Sequence, residues 1–215
     1  TKTHPGPITP NNSNHFTGGT SIHGGTLVLG NATDTLADTG AVTVDGSTSV
    51  LSLRANSDTV GAVSLKNGAS ITGSTGVLTG SSYALESGSV SAILGGAGAL
   101  TKTTVGTVNL SAVNTYTGAT NNSIGTLKFS GSGSLAKAST VLLSAGATLD
   151  LNGTNQTIKL GASAGTIANN SGGGTSTLTF SGSADAGSPL IVDSTSNPGG
   201  KVAVVVTTNS QTFST

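Results

Sequence analysis

Along most of the chain, apolar and small polar residues alternate in short runs, each closed by Gly, Asn or Asp. The runs include Gly25-Thr-Leu-Val-Leu29, Gly40-Ala-Val-Thr-Val44, Val50-Leu-Ser-Leu53, Gly61-Ala-Val-Ser-Leu65 and Gly76-Val-Leu-Thr79. They continue with Gly88-Ser-Val-Ser-Ala-Ile93, Gly106-Thr-Val-Asn-Leu110, Gly125-Thr-Leu-Lys-Phe129, Ala147-Thr-Leu-Asp-Leu151, Ser176-Thr-Leu-Thr-Phe180 and Lys201-Val-Ala-Val-Val205. Alternation over four to six residues, bounded by turn formers, predicts short strands with one buried face. No helical periodicity is present, and Leu135-Ala-Lys-Ala138 is too short to form a helix that matters.

A longer period lies over the short one. Phe16-Thr-Gly-Gly-Thr20 precedes Gly25-Thr-Leu27, and a hundred positions later Tyr116-Thr-Gly-Ala-Thr120 precedes Gly125-Thr-Leu127 without a gap. After small deletions Val42-Thr-Val44 matches Val141-Leu-Leu143, and Leu51-Ser-Leu53 matches Leu149-Asp-Leu151. Thr212-Phe-Ser214 is a third echo. Such self-similarity is the mark of stacked modules, each covering its neighbour's apolar face. The expected fold is all-β, a repetitive parallel β-solenoid over residues 16–215, in two tandem units of about 16–115 and 116–215. An antiparallel β-sandwich fibre subunit is the alternative. Residues 1–15 carry Pro5, Pro7 and Pro10 and are expected to form an extended N-terminal arm.

Residues 98–127 are more specific. Gly98-Ala-Leu-Thr-Lys-Thr-Thr-Val-Gly106 runs through Thr107-Val-Asn-Leu-Ser111 into Ala112-Val-Asn-Thr-Tyr-Thr-Gly-Ala-Thr120 and then Gly125-Thr-Leu127. This resembles the passenger-associated strand repeat of bacterial autotransporters, although Thr104 and Ala112 stand where that family usually has Gly. Asn14 to Leu27 is similar to its second half. The resemblance implies a parallel β-helix exposed on, or released from, a bacterial surface, and no catalytic residues. Its structural positions here are Phe16, Gly18, Gly25, Leu27, Leu100, Lys102, Asn114, Tyr116, Gly118, Gly125 and Leu127. By parity Val108 and Leu110 share a face. Asn114 falls at a turn, where stacked Asn side chains are expected to form a ladder between coils. Tyr116 and Phe16 are expected as stacked caps on a thin core.

Composition then narrows the function. Only 7% of residues are charged and the net charge is 0, which argues against nucleic acid as a partner. With a mean hydropathy of +0.13, disorder is not favoured either. There is no Cys, so neither disulfides nor thiolate metal sites are available. No apolar stretch is long enough for a membrane helix, so no membrane insertion of this segment is expected. The first residue is Thr1, which leads to the expectation of a processed or excised chain.

The search for chemistry yields little. His4, His15 and His23 read as separate surface histidines. Asp34, Asp38 and Asp45 lie close in sequence and could meet across a turn, as the oxygen ligands of a calcium loop do. Gly95-Gly-Ala-Gly-Ala99 lacks the Asp of a calcium nonapeptide, so the three read as turn-capping aspartates and no metal or cofactor is expected. Glu86 is the only Glu, and no motif nominates a carboxylate pair for glycoside hydrolysis. The function expected is therefore non-enzymatic: a structural, adhesin-like stalk segment of a secreted or cell-surface protein. The alternative is a subunit of an extracellular filament, joined by strand addition through Val202, Val204 and Val206, with the arm contributing. A polysaccharide-acting β-helix enzyme stands third. Partners are expected to be copies or neighbouring repeats of the same protein.

Overall fold

The computed structural model describes residues 1–14, 18–30, 34–137, 139–181, 189–194 and 199–206, and of Val206 the backbone alone. Phe16, His15 and the Thr212 echo lie outside the described residues.

Successive strands alternate between two sheets. Thr20–Ile22 belongs to the first sheet, Gly25–Val28 to the second, Val42–Asp45 to the first, Ser49–Arg54 to the second, and the alternation continues except at Ile93–Gly95 and Leu100–Lys102, consecutive strands that both belong to the first. Apart from the strands that end each sheet and Ile93–Gly95, each strand pairs with strands of the coils before and after it, and every strand–strand pair among the described residues is parallel. The chain is thus a parallel β-solenoid of about 8 turns, with no helix among the described residues. The antiparallel sandwich is excluded by this pairing. An antiparallel pair needs the chain to reverse within one sheet, whereas here each turn carries it across to the other sheet.

The register explains why the sequence alternates as it does. In the first sheet Val42 pairs with Val63, Val63 with Tyr83, Tyr83 with Leu100, Leu100 with Thr120, and Thr120 with Val141. One coil therefore takes about twenty residues. In the second sheet Leu27, Leu51, Ile71, Val90, Leu110 and Phe129 form one unbroken column. Val108, Leu127, Leu149, Ile167 and Ile191 form another. Nearly all of these side chains are fully buried, and the two sheets enclose a single narrow apolar core along the axis. In a strand successive side chains point to opposite faces, so the inward set repeats every second residue.

Some strands turn a corner. Val77–Leu85 pairs through its first half with Ile93–Gly95 and through its second half with Leu100–Lys102. Asp58–Lys66 and Gln156–Leu160 open at the same kind of corner, where Asp58 pairs with Leu78 and Gln156 with Leu178.

The Pro-rich segment bends at residues 4–6 and lies against the first coil. Lys2 bridges Ile22 and Ile8 bridges Leu27, both parallel. Ile8 N–H donates to Thr26 O at 2.9 Å and Ile8 O accepts from Val28 N–H at 2.8 Å. Pro5, Pro7 and Pro10 lack an N–H to place, and proline is tolerated at such an edge because no ladder bond is lost. Among the described residues no helix is long and apolar enough to cross a membrane.

Candidate functional site

The residues of the strand-repeat pattern divide into core and corner positions. Leu100 and Leu127 are core members with no exposed surface. Lys102 occupies an inward position too, pairing with Asn122, which in turn pairs with Leu143. Both polar side chains are fully buried. The Lys102 ammonium donates to Glu86 O at 3.1 Å and to Thr104 O at 2.5 Å, so it plugs a corner by tying backbone carbonyls together. Burial holds its pKa below the ordinary lysine value, and the Glu86 charge opposes that shift.

Asn114 connects three coils through backbone rather than through other Asn side chains. Leu94 N–H donates to its Oδ1 at 3.0 Å, while its Nδ2 donates to Ala112 O at 3.1 Å and Ser134 O at 2.9 Å. The expected Asn ladder is accordingly a staple of side chain to main chain. Asn14 repeats half of it, donating to Asn12 O and Thr35 O. Gln156 plays the equivalent part at another corner: Leu135 N–H donates to Oε1, and Nε2 donates to Gly133 O and Thr154 Oγ1.

Tyr116 is buried, and its ring packs against Tyr83 at a centroid distance of 6.0 Å. The stacking partner shown is therefore Tyr83, a residue the sequence pattern did not single out. Tyr83 Oη accepts from Gly80 N–H and lies within hydrogen-bond distance of Leu78 O and Gly95 O. Burial raises the pKa of both phenols. Tyr116 Oη meets Thr120 Oγ1 at 2.7 Å, and Thr120 meets Ser139 Oγ at 2.9 Å. A Cβ on Gly118 would lie 2.5 Å from the Gly98 carbonyl group, so glycine is required there by the approach of the preceding coil. Gly125, at φ +79°, needs both a left-handed backbone and free space. Gly25 and Leu27 take the same places one long repeat earlier, while Gly18 has open space around it.

At the C-terminal end Lys201–Val206 pairs along its whole length with Thr175–Phe180 and is the last strand of its sheet among the described residues. Val202 packs on the core, but Val204 is 43% exposed although it continues the column of the fully buried Leu178.

The aspartates sort differently from expectation. Asp45 lies apart, accepting from Asn67 Nδ2 at 2.6 Å and facing His23 Nδ1 at 3.8 Å. Asp34 and Asp38 come together with Asp58, which the sequence reading missed, and one carboxylate oxygen from each lies within 4.8 Å of the others. Together with Ser57, Thr59 and Thr79 they line a surface pocket of about 370 Å³. Asp58 is only 4% exposed. Its Oδ2 accepts from Thr35 N–H at 3.1 Å and Leu36 N–H at 2.8 Å, and its Oδ1 has no hydrogen-bond partner. Burial raises its pKa, with the Asp34 charge adding to the effect against the pull of the backbone donors.

These features define a parallel β-solenoid whose corners are fastened by buried side-chain-to-backbone bonds. Comparison with family models, curated proteins and solved structures finds no match.

Proposed function

We propose that the chain is a structural segment of a secreted or surface-exposed bacterial protein, a rigid spacer of the autotransporter-passenger type, and that it acts without catalysis. The observation that carries this reading is the unbroken stacking of interior columns from coil to coil. Adjacent strands are about 4.8 Å apart, so about 8 turns give a rod of about 38 Å. Length then grows in proportion to the number of coils, which is what a spacer requires. The passenger assignment rests on residues 98–127, whose pattern positions have physical jobs: Lys102 and Asn114 fasten corners, and Gly118 and Gly125 admit the neighbouring coil.

The test is small-angle scattering of the protein beside a version carrying a second copy of residues 26–125. Each added copy is expected to lengthen the rod by about 24 Å at constant cross-section, five coils at 4.8 Å each. A globular particle, or turnover of a polysaccharide by the purified protein that Asp38→Asn abolishes, overturns the reading.

The exposure of Val204 favours a second reading, in which copies add end to end to form a filament. Lys201–Val206 offers an edge with one charge at its start, and a head-to-tail contact that does not close gives an open fibre. Scattering from the intact protein should then rise with concentration, and Val204→Lys should suppress the rise. A protein that stays monomeric at millimolar concentration refutes the filament and leaves the spacer standing.

A further inference from the structure

At the corners fastened by Asn114 and Gln156, an amide side chain does two things at once. Its oxygen accepts a backbone N–H, from Leu94 or Leu135, and its nitrogen donates to a carbonyl of an adjacent coil, Ser134 or Gly133. Asp58 occupies the matching corner, like Gln156 the first residue of its strand, and like Gln156 paired with a buried leucine. Its Oδ2 accepts from Thr35 and Leu36 as the amide oxygens do. Where the sister residues present a donor, Asp58 presents a second acceptor, and that oxygen is buried and unpartnered. Thr35 Oγ1, one residue from Asp34, is a second buried oxygen without a partner. Two further carboxylates, Asp34 and Asp38, face the same point. Among the described residues, no basic side chain forms an ion pair with any of the three. A buried carboxylate beside like charges is costly unless a cation or a proton neutralises it.

We propose that Asp34, Asp38 and Asp58 hold a calcium ion that pins segment 34–40 to the coil beneath it. The donor set is all oxygen, which selects a hard cation over zinc or copper. Calcium binds oxygen at about 2.3–2.6 Å, and the three carboxylate oxygens, all within 4.8 Å of one another, are close enough to share one such ion. Magnesium demands near-ideal octahedral geometry and gives up its water reluctantly, so a corner assembled from three separate carboxylates suits it less. The site keeps water on its open side through the pocket, as calcium's six to eight ligands permit. The ion replaces the N–H that an amide supplies elsewhere, and the corner becomes conditional on calcium.

The experiment is isothermal titration of chelator-treated protein with calcium chloride and, separately, magnesium chloride, with thermal unfolding followed in parallel. One calcium per chain is expected, bound at least tenfold more tightly than magnesium. At calcium a hundred times the dissociation constant, the unfolding constant should fall about a hundredfold. Asp58→Asn restores an amide and should lose both the heat and the calcium-dependent stabilisation. Asp38→Asn, at an exposed position where folding is not at stake, should weaken binding at least tenfold. Absence of heat and of stabilisation up to about 10 mM calcium, above the range of extracellular modules, overturns the proposal. So does an affinity that neither substitution changes, because the ion would then sit elsewhere.

Discussion

Replacing Asn114 by Ala removes three hydrogen bonds, and the structure shows that their losses are unequal. Ala112 O and Ser134 O each keep another partner, because Ser134 N–H also donates to Ala112 O and Asn114 N–H to Ser134 O. Leu94 has no such reserve. Its carbonyl accepts from Thr115 and Tyr116, so its peptide groups face the next coil, and its N–H is met there by the Asn114 amide oxygen. An orphaned buried N–H costs about 1–3 kcal/mol, and each of the other two bonds contributes about 0.5–1 kcal/mol. The sum is about 3 kcal/mol, or roughly a hundredfold in the equilibrium between closed and open corner at 1.4 kcal/mol per tenfold. The assay is urea unfolding of both proteins, together with amide hydrogen exchange at Leu94, which reports local opening directly. Asn114→Asp serves as a control. It keeps the acceptor for Leu94 but points a carboxylate at two carbonyls, so it should be worse than Ala at neutral pH and recover as acid protonates it. If Asn114→Ala unfolds within about 0.5 kcal/mol of the parent and the Leu94 amide stays protected, the staple does not hold the corner.

Two further outcomes follow from the same corners. Lys102 has a folded pKa lowered by burial, so between that value and 10.5 the unfolded chain binds more protons than the folded one, and stability should rise with pH through that window. Lys102→Met, which keeps the length of the side chain without its charge, should abolish the rise in a pH series of thermal melts, and a series unchanged by the substitution would count against a buried ammonium. Gly125→Ala should cost more than 3 kcal/mol in urea unfolding, since its Cβ would lie 2.7 Å from Gly106 O and 2.8 Å from Lys102 Nζ on a left-handed backbone. Gly131→Ala, left-handed but with open space around it, should cost only about 1–2 kcal/mol, and equal costs at the two positions would show that crowding plays no part.

Most strands with two or more inward aliphatic residues were legible because burial on one face writes itself as alternation, although Ala69–Gly73 and Gln156–Leu160 were not singled out despite burying Ala69, Ile71, Ile158 and Leu160. Thr120–Asn122 was not, since its inward residues are Thr120 and Asn122, which one-dimensional patterning assigns to solvent. Their burial depends on partners in other coils, such as Ser139 and the Thr148 carbonyl, far away in sequence. Prolines concealed the first coil. Yet Lys2 and Asn14 stand a hundred positions before Lys102 and Asn114 and do similar work, Lys2 donating to the His4 and Gly24 carbonyls. The long repeat can therefore be traced back to residue 2. Asp58 was missed for a different reason. Nothing distinguishes it from any Asp that opens a strand until Gln156 is seen at the corresponding corner. The placement of Asp45 away from Asp34 and Asp38 shows how little proximity in sequence says about proximity across coils.

The parallel pairing that runs the length of the molecule also fixes how it yields to force. Its interstrand bonds lie along the long axis, so tension between the two ends peels one coil from the next instead of shearing a whole sheet at once. A detached coil of about twenty residues stretches to about 68 Å at 3.4 Å per residue and gives up about 5 Å of stacked height. Each rupture therefore lengthens the tether by more than the whole folded rod. The corner bonds of Lys102, Asn114 and Gln156 cross from coil to coil and act as ratchet pawls, setting the load at which each step occurs. A short stiff rod becomes, under pull, a long shock absorber that pays out slack in measured increments.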